Sequence, residues 1–312
     1  AQIGVRTALV GCLVAASGCV GARLLRKRLR GRARPLAALA ASGLVLLAAT
    51  GWWSFGDTPV RDLPTGLRVT FLDVGQGDGV LLETPSARVL VDQGPPEANV
   101  ARQLLRMGIR SLSAVVLTHP ERDHVGGAAE VIRRLRVGAV LDPGLAATGP
   151  DREEAIAAAA ERRVPVRLVR AGSEFRAGGL VLRVLWPPDP GLPDEDPNLN
   201  AVVIVASFGE MDVFLPADAE SDVTGRLHLG AFEVLKVAHH GSADPGLDEE
   251  LRVVRPRIAV ISAGRNNDYG HPRPETLAAL AAVPELALYR TDEDGRVVVE
   301  ADGHRLRVRT GG

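Results

Sequence analysis

Sulfur and aromatic rings are scarce in this chain of 312 residues. Its two cysteines, Cys12 and Cys19, both fall in one apolar run near the start. Everything beyond that run is cysteine-free, which excludes a disulfide framework and a thiolate metal centre there. The pair is spaced i,i+7 and reads as small packing residues on one helix face. Aromatic residues make up 4 % of the chain, too few to ring a small-ligand pocket convincingly. Acidic residues are missing from the stretch ARLLRKRLRGRARP, which carries Arg23, Arg26, Lys27, Arg28, Arg30, Arg32 and Arg34. The overall charge of −1 hides that local asymmetry. No internal repeat at a fixed period is visible.

Charge is also absent from the two runs that flank those arginines, Thr7–Ala22 and Leu36–Phe55. About 20 apolar residues cross a bilayer as a helix, and tryptophan favours the interface. The second run has that length and closes on Trp52, Trp53 and Phe55. Residues 1–56 are therefore expected to hold two transmembrane helices, lipid-embedded through residues 7–55. The basic loop between them stays cytoplasmic, which puts everything after Gly56 on the extracytoplasmic side of the cytoplasmic membrane. A signal peptide with a basic n-region is the competing reading; the preceding apolar segment argues against it. The first run is short and starts without methionine, so the chain is expected to be the tail of a longer polypeptide.

Residues 57–66, with Pro59 and Pro64, read as a linker, and residues 67–312 as one domain of mixed α/β character. Strands are expected at Arg68–Asp73, Val80–Glu83, Arg88–Asp92, from Ala114 into His119, and at Val166–Val169, Leu180–Leu185, Ala201–Phe208 and Asp212–Leu215. Further strands are expected at Phe232–Ala238, Ile258–Ser262, Ala287–Thr291, Arg296–Glu300 and Leu306–Arg309. Helices are expected at Asn99–Met107, Ala128–Arg136, Asp151–Arg163, Glu220–Leu227, Leu247–Val254 and Pro274–Ala282. Pro187–Pro197 is a proline-rich acidic loop. Two mixed halves of this kind predict two sheets packed face to face with helices outside.

The most informative stretch is Leu117–Gly127, LTHPERDHVGG. An apolar strand ends in His119, then Asp123 and His124, then two glycines. Imidazole nitrogen and carboxylate oxygen suit Zn²⁺ or Mn²⁺. The chain has only seven histidines, so two flanking a carboxylate on one loop is a metal-ligand pattern rather than a polar turn. Other strand ends carry the same chemistry: Asp73, Gln76 and Asp78 in FLDVGQGDG, Asp92 after RVLV, Asp218 after DVFLPA, His239 and His240 after FEVLKVA, and Tyr269 and His271 after IAVIS. A strand-end Asp on its own usually caps a helix or turn. Together these residues converge on one end of several strands, where a binuclear centre can assemble.

The chain resembles the metallo-β-lactamase fold superfamily, and within it the carboxy-terminal domain of ComEC-type competence DNA channels. The matching pieces are DVGQGD (Asp73–Asp78), Asp92–Gly94, THPERDHVGG (Thr118–Gly127), NLNAVVI (Asn198–Ile204), LPAD (Leu215–Asp218), LKVAHHGS (Leu235–Ser242), NNDYGHP (Asn266–Pro272) and YRTDEDGRV (Tyr289–Val297). The resemblance implies a four-layer αβ/βα sandwich with two divalent metal ions, Zn²⁺ or Mn²⁺, at one edge. His119, Asp123, His124, Asp218 and His240 fall on ligand positions. Asp218 would bridge, Asp123, His124 and His240 would complete one site, and His119 would serve the other.

This chain departs from the pattern twice. Glu121 stands where a histidine is usual and is read as either a harder ligand favouring Mn²⁺ or a solvent-facing side chain. The NLN at Asn198–Asn200 lacks the third-motif histidine, which leaves the second metal position thinly ligated. Asp78, Asp92, His239 and His271 are expected to orient ligands or move protons. Gln76, Asn200, Ser242 and Tyr269 are expected to contact substrate. The implied activity is a phosphodiesterase acting on DNA outside the membrane, attached to the rest of a channel. A non-catalytic DNA guide and a small-phosphodiester hydrolase are the alternatives. Arg122, Lys236, Arg265, Arg273 and Arg290 are candidate phosphate contacts on loops.

Overall fold

The computed structural model describes residues 63–145, 149–193, 196–302 and 305–311. The two expected membrane helices and most of the linker lie outside the described residues. Among the described residues no helix is long and apolar enough to cross a membrane. The described residues fall within one compact unit, Pro59–Gly312, which carries every element below.

Its strands are β1 (Leu67–Phe71), β2 (Val80–Glu83), β3 (Arg88–Val91), β4 (Ser111–Leu112), β5 (Ala114–Val116), β6 (Arg136–Val137), β7 (Val140–Asp142) and β8 (Val166–Leu168). The later half adds β9 (Glu174–Ala177), β10 (Leu180–Trp186), β11 (Val203–Phe208), β12 (Met211–Leu215), β13 (Val234–Lys236), β14 (Ile258–Ile261), β15 (Ala287–Arg290), β16 (Val297–Asp302) and β17 (Arg305–Thr310). The α-helices are α1 (Val100–Arg106), α2 (Arg122–Val125), α3 (Ala128–Arg134), α4 (Pro150–Arg162), α5 (Ser221–Thr224), α6 (Leu247–Val254), α7 (Pro274–Ala281) and α8 (Thr291–Asp294).

One sheet has the order β17-β16-β1-β2-β3-β5-β7-β8 and the other β15-β14-β13-β12-β11-β10-β9. The run β3-β5-β7-β8 is parallel, as is β12-β13-β14-β15. The C-terminal ends of these parallel strands all open onto connecting loops, where α/β folds place functional groups.

Alternation of side chains explains the layering. Val69, Phe71, Leu82, Val89 and Val116 of the first sheet share one buried cluster with Leu182, Ile204, Val213, Val234 and Val260 of the second. Their chain neighbours point the other way. Leu81, Leu90 and Val115 pack under α1, α3 and α4, while Val205, Phe214, Leu235 and Ile261 pack under α6 and α7. Successive residues of a strand face opposite sides, so each central strand feeds two cores. The result is the expected αβ/βα sandwich. A register shift between Val184 and Trp186 turns Trp186 into the outer core, where its indole N–H donates to the Leu199 carbonyl at 2.8 Å.

Several expected elements are corrected. Glu220–Leu227 is helical only over Ser221–Thr224, and the strand expected at Phe232–Ala238 shrinks to Val234–Lys236. Thr291 begins the short α8 instead of ending a strand. β4, β6, β7 and β9 were not expected, and β6 takes Arg136 from the end of an expected helix. At two to four residues they are too short for periodicity to show, and their partners supply the pairing.

One buried carboxyl lies well away from the motifs. Glu250 of α6 accepts a hydrogen bond from the Thr224 hydroxyl of α5. Burial pushes its pKa up from 4.5 to about 7; the Thr224 bond opposes the rise and the Asp244 charge adds to it. Folding therefore favours the protonated form. That contribution is fully present below about pH 4.5 and is lost as pH rises through about 7. Glu250→Gln should stabilise the protein at pH 8 by ~1–3 kcal/mol and change little at pH 4.5. Urea unfolding at the two pH values checks this, and a gain that does not depend on pH would contradict it.

Candidate metal centre

The motif loops meet at the edge where the two sheets open. β5 delivers Thr118 and His119, and the next turn starts α2 with Asp123 and His124. Gly77 lets the Asp73–Asp78 loop press onto α2. It has a φ of +131°, and a Cβ there would sit 2.2 Å from the Asp123 carbonyl oxygen. The Asp78 amide instead donates to that carbonyl at 3.1 Å. β12 delivers Asp218, and β13 delivers His239 and His240. Four side-chain-bearing residues at these strand exits adopt left-handed backbone: Asp92 (φ 55°), Ala217 (φ 55°), His239 (φ 45°) and His240 (φ 55°). Such strain collects at functional sites and survives only where surrounding bonds enforce it. Here the Asp92 amide donates to Val116 O at 3.1 Å and the His239 amide to Ala217 O at 3.1 Å.

Three buried imidazoles share one arrangement. His124 Nδ1 lies 2.8 Å from Asp92 Oδ2, His240 Nδ1 lies 2.9 Å from the Ser262 carbonyl, and His119 Nδ1 lies 3.0 Å from Thr118 Oγ1. A carbonyl and a carboxylate only accept, so His240 and His124 carry their proton on Nδ1. The Thr118 hydroxyl donates to Asp92 at 2.8 Å, so it accepts from His119 in turn. All three Nε2 atoms are left buried without a hydrogen-bond partner. Ligand histidines are held in this way by their other nitrogen.

Carboxylates complete the cluster. Asp218 Oδ2 lies 3.2 Å from His124 Nε2 and 3.4 Å from His240 Nε2, and Asp123 Oδ2 lies 3.3 Å from His240 Nε2. Three sets have ligand atoms mutually within 4.8 Å and share His124: His119–His124–Asp218, Asp123–His124–His240 and Asp78–Asp92–His124. Asp78, Asp218 and His240 form another such set. This donor chemistry fits divalent cations.

The electrostatics agree. Burial disfavours a charged His124, yet Asp218 and Asp92 hold its pKa well above the ordinary value. Burial likewise opposes charge on His240, and Asp218 and Asp78 raise it to about 9. For Asp123, burial is outweighed by the His240 imidazole beside it and by the charges of His124 and His240, bringing it down to about 2. The carboxylates ask for cations at positions that a metal would take from protons.

Lys236 belongs to this centre and not to the DNA-contacting surface expected of it. β13 alternates Val234 inward, Leu235 outward and Lys236 inward. The ammonium is thus buried between the sheets, 1 % exposed. It pairs with Asp78, donates to the Ala217 carbonyl at 2.9 Å, and lies 3.5 Å from Asp218 Oδ1. Period-2 alternation in VLKVA was the available signal. Arg290 is also claimed elsewhere, by Asp292 at 2.6 Å and Glu293 at 2.8 Å. Arg122 is bidentate on Glu97, at 2.6 and 3.0 Å.

The remaining expected residues separate into two groups. His239, Ser242, Tyr269 and His271 gather at the rim. His239 Nδ1 bonds Glu220 at 2.9 Å, Ser242 also donates to Glu220, and the His271 ring lies 5.7 Å from His239 and 5.8 Å from Tyr269. Glu220, which sequence reasoning overlooked, organises this rim. Glu121 Oε2 sits 3.6 Å from His119 Nε2 with its side chain 39 % exposed, and it makes no capping bond to α2. Gln76 and Asn200 turn to other work. Gln76 accepts from the Gly264 amide at 3.1 Å. Asn200 accepts from Leu192 N at 2.7 Å and donates to Leu192 O at 3.0 Å, which pins the proline-rich loop.

Residues 72–265 match the metallo-beta-lactamase superfamily, and the chain belongs to it. Three curated proteins are similar to it. ComE operon protein 3 of Bacillus subtilis is 30 % identical over 256 residues, covering 73 % of this chain and 32 % of that protein. Recombination protein 2 of Haemophilus influenzae is 28 % identical over 251 residues, covering 77 % and 30 %. Competence protein ComA of Neisseria gonorrhoeae is 28 % identical over 233 residues, covering 73 % and 31 %. These relatives support the recognition of a ComEC-type carboxy-terminal domain, and the chain spans about a third of their length. Solved structures share the fold. CmlA, a diiron β-hydroxylase from Streptomyces venezuelae, has a TM-score of 0.54 at 14 % identity, over 76 % of this chain and 55 % of CmlA. YhfI of Bacillus subtilis, a metallo-beta-lactamase fold protein, has a TM-score of 0.52 at 13 % identity, over 78 % of this chain and all of YhfI.

Two outcomes follow from this centre. Lys236→Met strands two buried carboxylates, which should cost about 3–5 kcal/mol in a chelator. Added Mn²⁺ or Zn²⁺ should narrow that deficit by replacing the lost charge. Thermal unfolding with and without metal reads both, and a deficit untouched by metal would separate Lys236 from the metal positions. Glu121→His should shift metal preference from Mn²⁺ towards Zn²⁺, because imidazole is the softer ligand. Competition measured by metal analysis tests this, and unchanged selectivity would place Glu121 in solvent.

Proposed function

We propose that this domain is a metal-dependent phosphodiesterase that hydrolyses DNA at the extracytoplasmic face of the cytoplasmic membrane, as part of a ComEC-like uptake channel. The observation that carries the reading is the convergence of the buried, unpartnered Nε2 atoms of His124 and His240 on the Asp218 carboxylate, with His119 in the same candidate ligand set. His119, His124, Asp123, Asp218 and His240 would hold two divalent ions, Zn²⁺ or Mn²⁺. Bound there, such ions supply Lewis acidity and a water of lowered pKa. The competence relatives support DNA as the substrate class. The multi-pass anchor and the rest of the channel rest on the apolar runs within residues 7–55 and on the length of the relatives.

The chain's own residues supply orientation and protons. Asp92 holds the His124 tautomer. Lys236 takes one oxygen of Asp218, which leaves Oδ2 facing the histidines. Glu220 fixes His239 with Nε2 3.8 Å from Asp218 Oδ2 at the half-open rim. His239 can therefore hold a proton at the point where a leaving oxygen departs.

The test is turnover of single-stranded DNA by the full chain with Mn²⁺ or Zn²⁺. Asp218→Asn should lose metal and activity together. His239→Ala should keep metal content and lose about 10²–10⁴-fold in kcat. A fully metal-loaded chain that binds DNA and never cleaves it would make the domain a guide rather than an enzyme.

A further inference from the structure

A basic trough leads away from the metal edge, and nothing in the catalytic reading uses it. Its far part is a cleft of about 670 Å³ lined by Arg102, Arg106 and Arg296, with Asp73 and Gln103 in its wall. Its near part is a hollow of about 420 Å³ lined by Gln76, Gly264 and Arg265, with Asp73 again in the wall. Asp73 is common to both, so the two adjoin. Two residues lining the near hollow, Gln76 and Gly264, lie two positions from groups of the metal centre in the chain. Gly264 follows Ser262, whose carbonyl fixes His240, and Gln76 precedes Asp78.

The charges of this trough are unspent. Several arginines elsewhere on the surface are spent on carboxylates: Arg122 on Glu97, Arg133 on Glu154 and Glu161, Arg134 on Glu130, Arg309 on Glu300; what sets the trough apart is that its unspent arginines line adjoining clefts. Arg102 and Arg106 are exposed and have no carboxylate partner among the described residues. They lie one turn apart on α1, which puts their Cβ atoms roughly 5–6 Å apart on one face. Arg296 makes a single long contact, 3.5 Å to Gly311 O. Arg265 uses only Nε, donating to Asp292 O at 3.0 Å. Two acids share the trough, Asp73 and Asp292, and Asp292 is neutralised by Arg290 at 2.6 Å.

We infer that this trough binds the sugar–phosphate backbone of a nucleic-acid strand and leads it to the metal edge. The inference rests on the phosphodiesterase reading and names the path of its substrate. No aromatic side chain lines either cleft, so bases have no platform to stack on and recognition runs through phosphate alone. None of the exposed large apolar side chains, Leu63, Val166, Leu168, Val253 and Tyr269, lines it either. A membrane-binding face would pair its cations with such groups.

The test is binding of a single-stranded oligonucleotide of about 16 nucleotides to the full chain in a chelator, followed by fluorescence anisotropy across a salt series. The variant combines Arg102→Gln, Arg106→Gln and Arg296→Gln. A control removes equal charge elsewhere through Arg162→Gln, Arg163→Gln and Arg307→Gln, and thermal unfolding compares the folding of both. The trough variant should lose about tenfold or more in affinity, and its salt slope should fall by about two, at roughly 0.7 per phosphate contact on single strands. The control should lose far less. Equal losses in both variants would reduce the effect to net charge and overturn the proposal, as would no loss in either. Binding of the unmutated chain to anionic phosphatidylglycerol vesicles but not to the oligonucleotide would also overturn it. Hydrolysis of a small chromogenic phosphodiester by the unmutated chain with Mn²⁺ is read separately. If that activity is present while the trough variant binds normally, the path is wrong and the enzyme reading stands. If it is absent while the trough variant alone loses affinity, the path stands and the enzyme reading falls.

Discussion

The carboxylate of Asp218, held out of water between an ammonium and three imidazoles, is the constraint on which the rest of the centre depends. A buried charge without compensation is too costly to keep. Asp218 and Asp78 are both nearly sealed from solvent, and Asp92 adds a third buried carboxylate. Lys236 answers one of these charges and Asp123 adds another at the edge. With neutral histidines, four carboxylates face a single lysine. The imbalance is resolved by protons on His124 and His240 or by divalent cations in their place. The first is what the raised pKa values of those histidines express, and the second is what their unpartnered Nε2 atoms are shaped for.

The sandwich exists to hold that imbalance at one edge. Both parallel runs release their loops on the same side, so β3, β5, β12, β13 and β14 contribute Asp92, His119, Asp218, His240 and the Ser262 carbonyl. Side-chain alternation then assigns direction. It buries Val234 and Lys236 in the seam and sends Leu235 outward under the helices. A strand shifted by one residue would expel the lysine from the seam, so the hydrophobic pattern of β13 also fixes the electrostatics of the centre. The left-handed turns at Asp92, Ala217, His239 and His240 are the local cost of bending chain away from strand exits quickly enough for these side chains to meet.

The convergence of the candidate ligands was legible because strand-end Asp and His have no better reason to recur at the ends of apolar runs. The layered architecture was legible for a related reason: central strands with apolar residues on both faces need helices outside and a second sheet inside. Other features depend on partners that a linear reading cannot supply. Asn200 lies in a motif segment but pins Leu192, and Gln76 braces Gly264, because what a side-chain amide bonds is decided by the loop beside it. β7 and β9 are too short to declare themselves and are formed by their neighbours. Lys236 was misplaced because a lysine is ordinarily solvated. Its inward register was in the pattern, but its two carboxylate partners come from β1's following loop and from β12.

The centre is also asymmetric. Asp78 and Asp218 are sealed, whereas Asp123, Glu121 and His239 keep 27 %, 39 % and 31 % of their side chains exposed. Ions and substrate therefore have one side from which to enter, and it is the side that carries Glu220, His271 and the exposed ring of Tyr269. The inner carboxylates and Lys236 are insulated from ionic strength, since salt screens buried pairs poorly. Arg102, Arg106 and Arg265 of the trough are exposed and feel the full screening of the solvent. On the proposed reading, one domain separates two electrostatic tasks: a dry cluster whose charge balance would set which cations it holds, and a wet track whose charge would set what is drawn towards them.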